Sequence, residues 1–176
     1  EAVRTPVGRR NGSLASVHSA DLGAHSLKAL IDKVSIDSSL VEDVIFGCVD
    51  TIGSQAGDIA RTSWLAAGLA EEVPGTTIDR QCGSSQQALH FAAQAVMSGT
   101  NDIVVAGGVQ NMSQIPISSA MLAGKEFGFE DPFTDSEGWK KRYGSGILSQ
   151  FTSAQMIAEK WKITRLVMEE FSLESH

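Results

Sequence analysis

Apolar positions along this chain return in two rhythms. Ala20, Ala24, Leu27, Ile31 and Val34 recur at helical spacing, with Lys28, Asp32 and Lys33 off that face, and predict a helix opening at Ser19-Ala20-Asp21. A polar break (IDSS) follows, then the continuous apolar run Val44 to Val49, which suits a strand buried on both faces. A glycine-containing loop leads to Asp58, a good N-cap, and to a helix through Trp64 and Leu65 that stops near Gly68. Pro74-Gly75 punctuates, and Thr76-Thr77-Ile78 reads as the next strand. The segment after Cys82 carries Ala88, Leu89, Phe91, Ala92, Ala93, Ala95 and Val96, apolar almost all round, so a helix covered on several sides is expected. Ile103 to Ala106 is a further apolar strand, closed by Gly107-Gly108. Strand, helix, strand, helix, strand at these intervals predicts right-handed crossovers and a mostly parallel, covered sheet.

The rhythm is lost after about residue 113. Residues 113 to 146 have scattered aromatics, many glycines and no clean period, and read as an excursion from the α/β core, with a boundary near 115. Gln150 to Lys162 and the stretch after Thr164 are again helical in pattern. Residues 1–18, rich in Gly, Pro and basic residues, read as a loop.

Composition narrows the classes. Of 176 residues, 42% are hydrophobic and 20% charged, as in a folded globular chain. The net charge of −7 argues against nucleic acid or an anionic membrane as the main partner. No apolar run approaches the ~20 residues that cross a bilayer. Two cysteines make no disulfide framework, which suits a reducing, cytoplasmic setting. No CxxC, HxxxH or HExxH spacing suggests a metal site.

The candidate chemistry is Cys82, in TTIDRQCGSSQQAL. A short strand, a turn and a helix opening just after the sulfur would aim free backbone N–H groups and the positive end of the helix dipole at a thiolate. Gly83 and the small Ser84-Ser85 pair would let a substrate approach closely. A small buried hydrophobe is the other reading of a free cysteine, and spacing leaves both open. Cys48, inside an apolar run, reads as core.

A nucleophile needs a base. His90 lies eight residues along the same helix, ~12 Å away along its axis, out of reach of the sulfur. His18, His25 and His176 suit structural or solvated roles better. The Lys140-Lys141-Arg142 cluster with Trp139 and Tyr143 suits an anionic, nucleotide-bearing ligand, although a solvated face is the favoured reading. Gly107-Gly108 lacks the pattern of a phosphate loop and reads as close backbone packing.

Taken in order, VRTPVGRRNGSL, GDIARTSWLAAGL, TTIDRQCGSSQQAL, DIVVAGGVQNMS and ITRLVMEEFSLESH resemble the N-terminal half of the thiolases, the 3-ketoacyl-CoA thiolases and acetyl-CoA acetyltransferases. The resemblance implies a thiolase-like α/β fold: an N-terminal βαβαβ half with a covered mixed sheet over residues 1–115, then the first part of an inserted loop domain over 116–176. The start of the opening strand and the C-terminal half would lie outside this sequence. It implies coenzyme A and acyl-CoA as substrates, no covalently bound cofactor, and a homodimer or homotetramer of the full protein. It implies that Cys82 takes the acyl group as a thioester, and that an activating histidine and a second cysteine belong to C-terminal motifs not found here. Where many thiolases carry a His-Met pair that lines the acyl pocket, this chain has Ser149-Gln150-Phe151-Thr152-Ser153-Ala154-Gln155, which opens sterol- or lipid-type substrates as well as short acyl chains. A ketoacyl-synthase-type condensing enzyme shares the cysteine at a helix start, but the RTPxGxxxGxL-like opening speaks against it. A folded fragment without turnover is the third reading.

Overall fold

A computed structural model describes residues 1–146 and 149–176. It contains two compact units, Glu1–Glu130 and Asp131–His176, considered separately below.

The first unit is built on a three-stranded sheet in the order β2-β1-β3, with β1 at Asp43–Gly47, β2 at Gly75–Ile78 and β3 at Val104–Gly108. Both pairings are parallel, with Val44 opposite Gly75 and Val105. Being central, β1 is apolar on both faces, as its continuous run predicted. Val44 and Phe46 face helices α1 (Ser19–Val34) and α2 (Ile59–Ala66), where Leu27, Ile31 and Trp64 complete the main core. Ile45 faces helix α3 (Ser84–Met97) and packs on Ala88 and Ala92. Trp64 is fully buried, and its indole N–H donates to the Ala70 carbonyl at 2.8 Å. Helices α1 and α2 cross closely where Gly23 meets Ser63; a methyl group on Gly23 would lie 2.3 Å from the Ser63 hydroxyl.

Helix α1 opens at Ser19 as expected, and His18 caps it by accepting the Ala20 N–H on Nδ1 at 3.2 Å. One local expectation changes. Asp58 precedes α2 but makes no side-chain cap; its backbone is left-handed, and its carboxylate accepts the Thr77 hydroxyl at 2.6 Å.

The larger correction concerns α3. Only Ser84, Gln87, Ala88 and Ala92 of this helix are buried, whereas Leu89, Phe91, Val96 and Met97 are exposed. An apolar composition all round is satisfied here on the sheet side alone.

The first unit extends past the composition shift near 115. The Asp50 carboxylate accepts the backbone N–H groups of Ser118 and Ala120 at 2.9 and 2.8 Å, tying that stretch to the end of β1 before the short helix α4 (Ser119–Ala123). The second unit holds α5 (Glu137–Tyr143), α6 (Gln150–Trp161) and α7 (Arg165–Glu174). Thr164 caps α7, accepting the Val167 N–H. Among the described residues, no helix is long and apolar enough to cross a membrane.

Candidate active site

All three strands run the same way, so the segments leaving them gather along one edge of the sheet. In open parallel sheets this carboxyl edge is where ligands bind. Cys48 follows β1, Cys82 follows β2 by way of a turn, and Gln110-Asn111 follows β3.

The Cys82 turn is closely specified. The Asp79 carboxylate accepts the Gln81 N–H at 2.8 Å, and Gln81 takes a left-handed backbone with φ of 48°. Gly83 N–H then donates to the Arg80 carbonyl at 3.0 Å and Ser84 N–H to the Gln81 carbonyl at 3.1 Å. The Ser84 hydroxyl accepts the Arg80 N–H at 2.9 Å and donates to the Gln81 carbonyl at 2.6 Å. Cys82 thus stands exposed two residues ahead of a 14-residue helix. The first-turn N–H groups of Ser85 and Gln86 meet no acceptor among the described residues. That is the positive, donor-rich end that stabilises a thiolate.

The helix start descends onto the sheet because two glycines make room. A methyl group on Gly47 would lie 2.2 Å from the Ser85 backbone nitrogen, and one on Gly108 would lie 2.1 Å from the Ser85 hydroxyl. The Gly107-Gly108 pair is therefore close backbone packing, and it seats the turn that carries Cys82.

Cys48 is the opposite case. It is 2% exposed and packs with Ala20 and Ile59. Its thiol lies 3.6 Å from the Gln110 carbonyl oxygen, which also accepts the Val49 N–H at 3.0 Å. Burial first, and then the Asp79 and Asp50 carboxylates, push the Cys48 thiol up to about 11. It stays protonated at neutral pH and has no nucleophilic character.

Behind this edge lies a polar network that the sequence did not disclose. Gln55, fully buried, donates to the Val49 and Asp50 carbonyls and accepts the Asn111 N–H at 2.8 Å. Asn111 in turn donates to the Val17 carbonyl at 2.9 Å, fastening the N-terminal loop. Single glutamine and asparagine residues carry no periodic signal; the only hint was the Asn111-Met112-Ser113 turn chemistry after a strand.

His18, His25, His90 and His176 are all exposed, and among the described residues the Cys82 sulfur has no hydrogen-bond partner. In the second unit, Phe133, Trp139 and Tyr143 form a ladder with ring centroids 4.5 and 4.6 Å apart. The Arg142 guanidinium stands 5.4 Å from the Tyr143 ring centre. Lys140 and Lys141 are exposed beside it. Among the described residues no group of three or more His, Cys, Asp or Glu is placed to hold a metal ion.

An exposed cysteine on a strained turn at a helix start, seated by glycines at the carboxyl edge of a parallel sheet, is joined by a match along the whole chain. The family model described as the thiolase N-terminal domain covers residues 1–176. The chain belongs to the thiolase family. It is 61% identical over 176 residues to the steroid 3-ketoacyl-CoA thiolase FadA6 of Mycobacterium tuberculosis, covering all of this chain and 43% of that protein. It is 36% identical to the 3-oxoadipyl-CoA/3-oxo-5,6-dehydrosuberyl-CoA thiolase of Escherichia coli K12 and 38% identical to the beta-ketoadipyl-CoA thiolase of Acinetobacter baylyi. Each of these two matches covers 99% of this chain and 45% of the relative. The chain therefore spans less than half the length of these thiolases. The condensing-enzyme alternative is set aside by the family match.

Proposed function

We propose that the protein carrying this chain is a CoA-dependent thiolase in which Cys82 is the acyl-accepting nucleophile. The observation that supports this most is the Cys82 turn itself, which presents the sulfur to solvent at the donor-rich start of α3. In the cleavage direction the Cys82 thiolate attacks the 3-keto carbon of a 3-ketoacyl-CoA. The C2–C3 bond breaks, its electron pair leaves as the acetyl-CoA enolate, and protonation at C2 gives acetyl-CoA. The acyl group, held as a thioester on Cys82, passes to the thiolate of a second CoA.

The base that deprotonates Cys82 and the group that handles the C2 proton are proposed to come from residues outside these 176. Two observations support this: no histidine here is bonded to the sulfur, and the relatives are more than twice as long. The substrate class we propose is a steroid-type 3-ketoacyl-CoA, supported by the 61% identity to a thiolase of that name and by the absence of a His-Met pair at Ser149–Thr152. A cytoplasmic homodimer or homotetramer is proposed with it, in keeping with two free thiols.

Thiolytic turnover tests the reading. The protein expressed from its complete reading frame should cleave steroid-side-chain 3-ketoacyl-CoA in the presence of CoA, faster than acetoacetyl-CoA, and the 176-residue chain alone should turn over neither. Equal or better turnover of acetoacetyl-CoA would remove the steroid-type assignment. Sustained cleavage by the 176-residue chain would remove the claim that the base lies elsewhere.

A further inference from the structure

We propose that Ser84 is the positioning residue of the Cys82 turn: its hydroxyl clasps the two strands of the turn and so holds the nucleophile at the start of α3. The assignment rests on the reading of Cys82 as the acyl acceptor. Ser84 is 4% exposed, two residues beyond Cys82, and both hydrogen-bonding capacities of its hydroxyl are used within the turn. It accepts from Arg80 N–H, before the cysteine, and donates to the Gln81 carbonyl. Only a hydroxyl both accepts and donates from one atom at this size. Alanine would leave a backbone N–H without its partner in a part-buried turn.

The clasp acts where the backbone needs it. Gln81, immediately before Cys82, has a φ of 48°, a region that side-chain-bearing residues leave unless their surroundings hold them. Three bonds hold it: the Asp79 carboxylate on its N–H, and the Ser84 N–H and hydroxyl on its carbonyl. The same serine touches the sheet, since its carbonyl carbon lies 2.4 Å from where a methyl on Gly47 would be. Ser84 therefore links the turn to the end of β1 as well as closing it. Loss of the hydroxyl would remove the bond on the Arg80 N–H and one of the three bonds on Gln81, loosening the backbone that carries Cys82.

The test is the rate of Cys82 alkylation by iodoacetamide at neutral pH, followed by peptide mass spectrometry in the protein expressed from its complete reading frame. Ser84→Ala should slow alkylation about tenfold, equivalent to roughly 1.4 kcal/mol in reaching the reactive arrangement. Ser84→Thr, which keeps the hydroxyl, should react faster than Ser84→Ala. Ser19→Ala, which removes another buried serine hydroxyl far along the chain, should keep the parent rate even where it lowers the melting temperature. In the unsubstituted protein the Arg80 amide, outside any helix or strand ladder, should exchange its hydrogen as slowly as amides inside α3. This last measurement decides the matter if Ser84→Ala does not fold. Parent-rate alkylation in Ser84→Ala, a Ser84→Thr rate no higher, an equal loss in Ser19→Ala, or fast exchange at Arg80 would each overturn the proposal. Iodoacetamide needs no acyl-CoA, so the outcome is separate from acyl transfer. Failure of the unsubstituted protein to take an acetyl group from acetyl-CoA would mark failure of the functional reading instead.

Discussion

Two cysteines leave the same edge of one sheet, on neighbouring strands, and the fold gives them opposite surroundings. Cys48 continues directly from β1 into a packed layer between α1 and α2, with Gln110 against its sulfur and two carboxylates near enough to oppose ionisation. Cys82 leaves β2 through a left-handed turn and meets the start of a helix in the open. Residue type is identical; what differs is whether the sulfur enters a packed layer between helices or stands ahead of a helix start that has no side-chain cap. Exposure is thus set by the connection that follows the strand.

The largest expected difference is in native-state alkylation. Iodoacetamide at neutral pH should modify Cys82 readily, while Cys48 should wait for opening of the core, slower by about 10³-fold or more if that opening is a large fraction of global unfolding. Comparable rates at both sites, read by peptide mass spectrometry, would break the contrast.

A second prediction displaces only the Cys82 side. Gly47→Ala drives a methyl into the Ser85 backbone, so α3 must lift at its first turn. The expected cost is about 3 kcal/mol in denaturant unfolding, at the upper end for overpacking. Cys48→Ala, at the next residue but facing the core, should cost about 1 kcal/mol by removing one buried sulfur. A Gly47→Ala variant as stable as the parent would show that the helix start is not seated as described.

A third effect is on alkaline stability. The Cys48 thiol is pushed up to about 11 in the folded protein, against ~8.5 for a free cysteine. A raised folded value means the folded state keeps its proton while the unfolded state loses it. The contribution is therefore fully present below ~8.5 and is lost as pH rises toward and through 11. Urea midpoints of the parent should fall more steeply across that window than those of Cys48→Ala. Parallel curves would mean that Cys48 titrates as an ordinary thiol.

Much of this contrast was legible in the residues. The βαβαβ order, the strands around Val44, Thr76 and Val104, and the helix opening after Cys82 follow from apolar spacing and from Gly and Pro punctuation, because each reflects a local period. Cys48 as core followed from its apolar run. The exposed outer face of α3 was not legible, since an all-round apolar helix looks the same whether two sides or one are covered. Nor were Gln55, Asn111 and the Ser84 clasp, because buried polar networks join residues by topology and leave no period in the chain. The left-handed Gln81 was hidden for a related reason: nothing about a glutamine announces a backbone that neighbours impose.

The central claim is that Cys82 carries the acyl group. Incubation of the protein, expressed from its complete reading frame, with acetyl-CoA and then digestion and mass spectrometry tests it most directly. Transfer replaces the Cys82 thiol hydrogen by an acetyl group and releases free CoA. One acetyl thioester is expected, on the peptide containing Cys82, absent from the Cys48 peptide and lost in Cys82→Ala. An adduct that persists in Cys82→Ala, or no adduct on Cys82 at all, would contradict it.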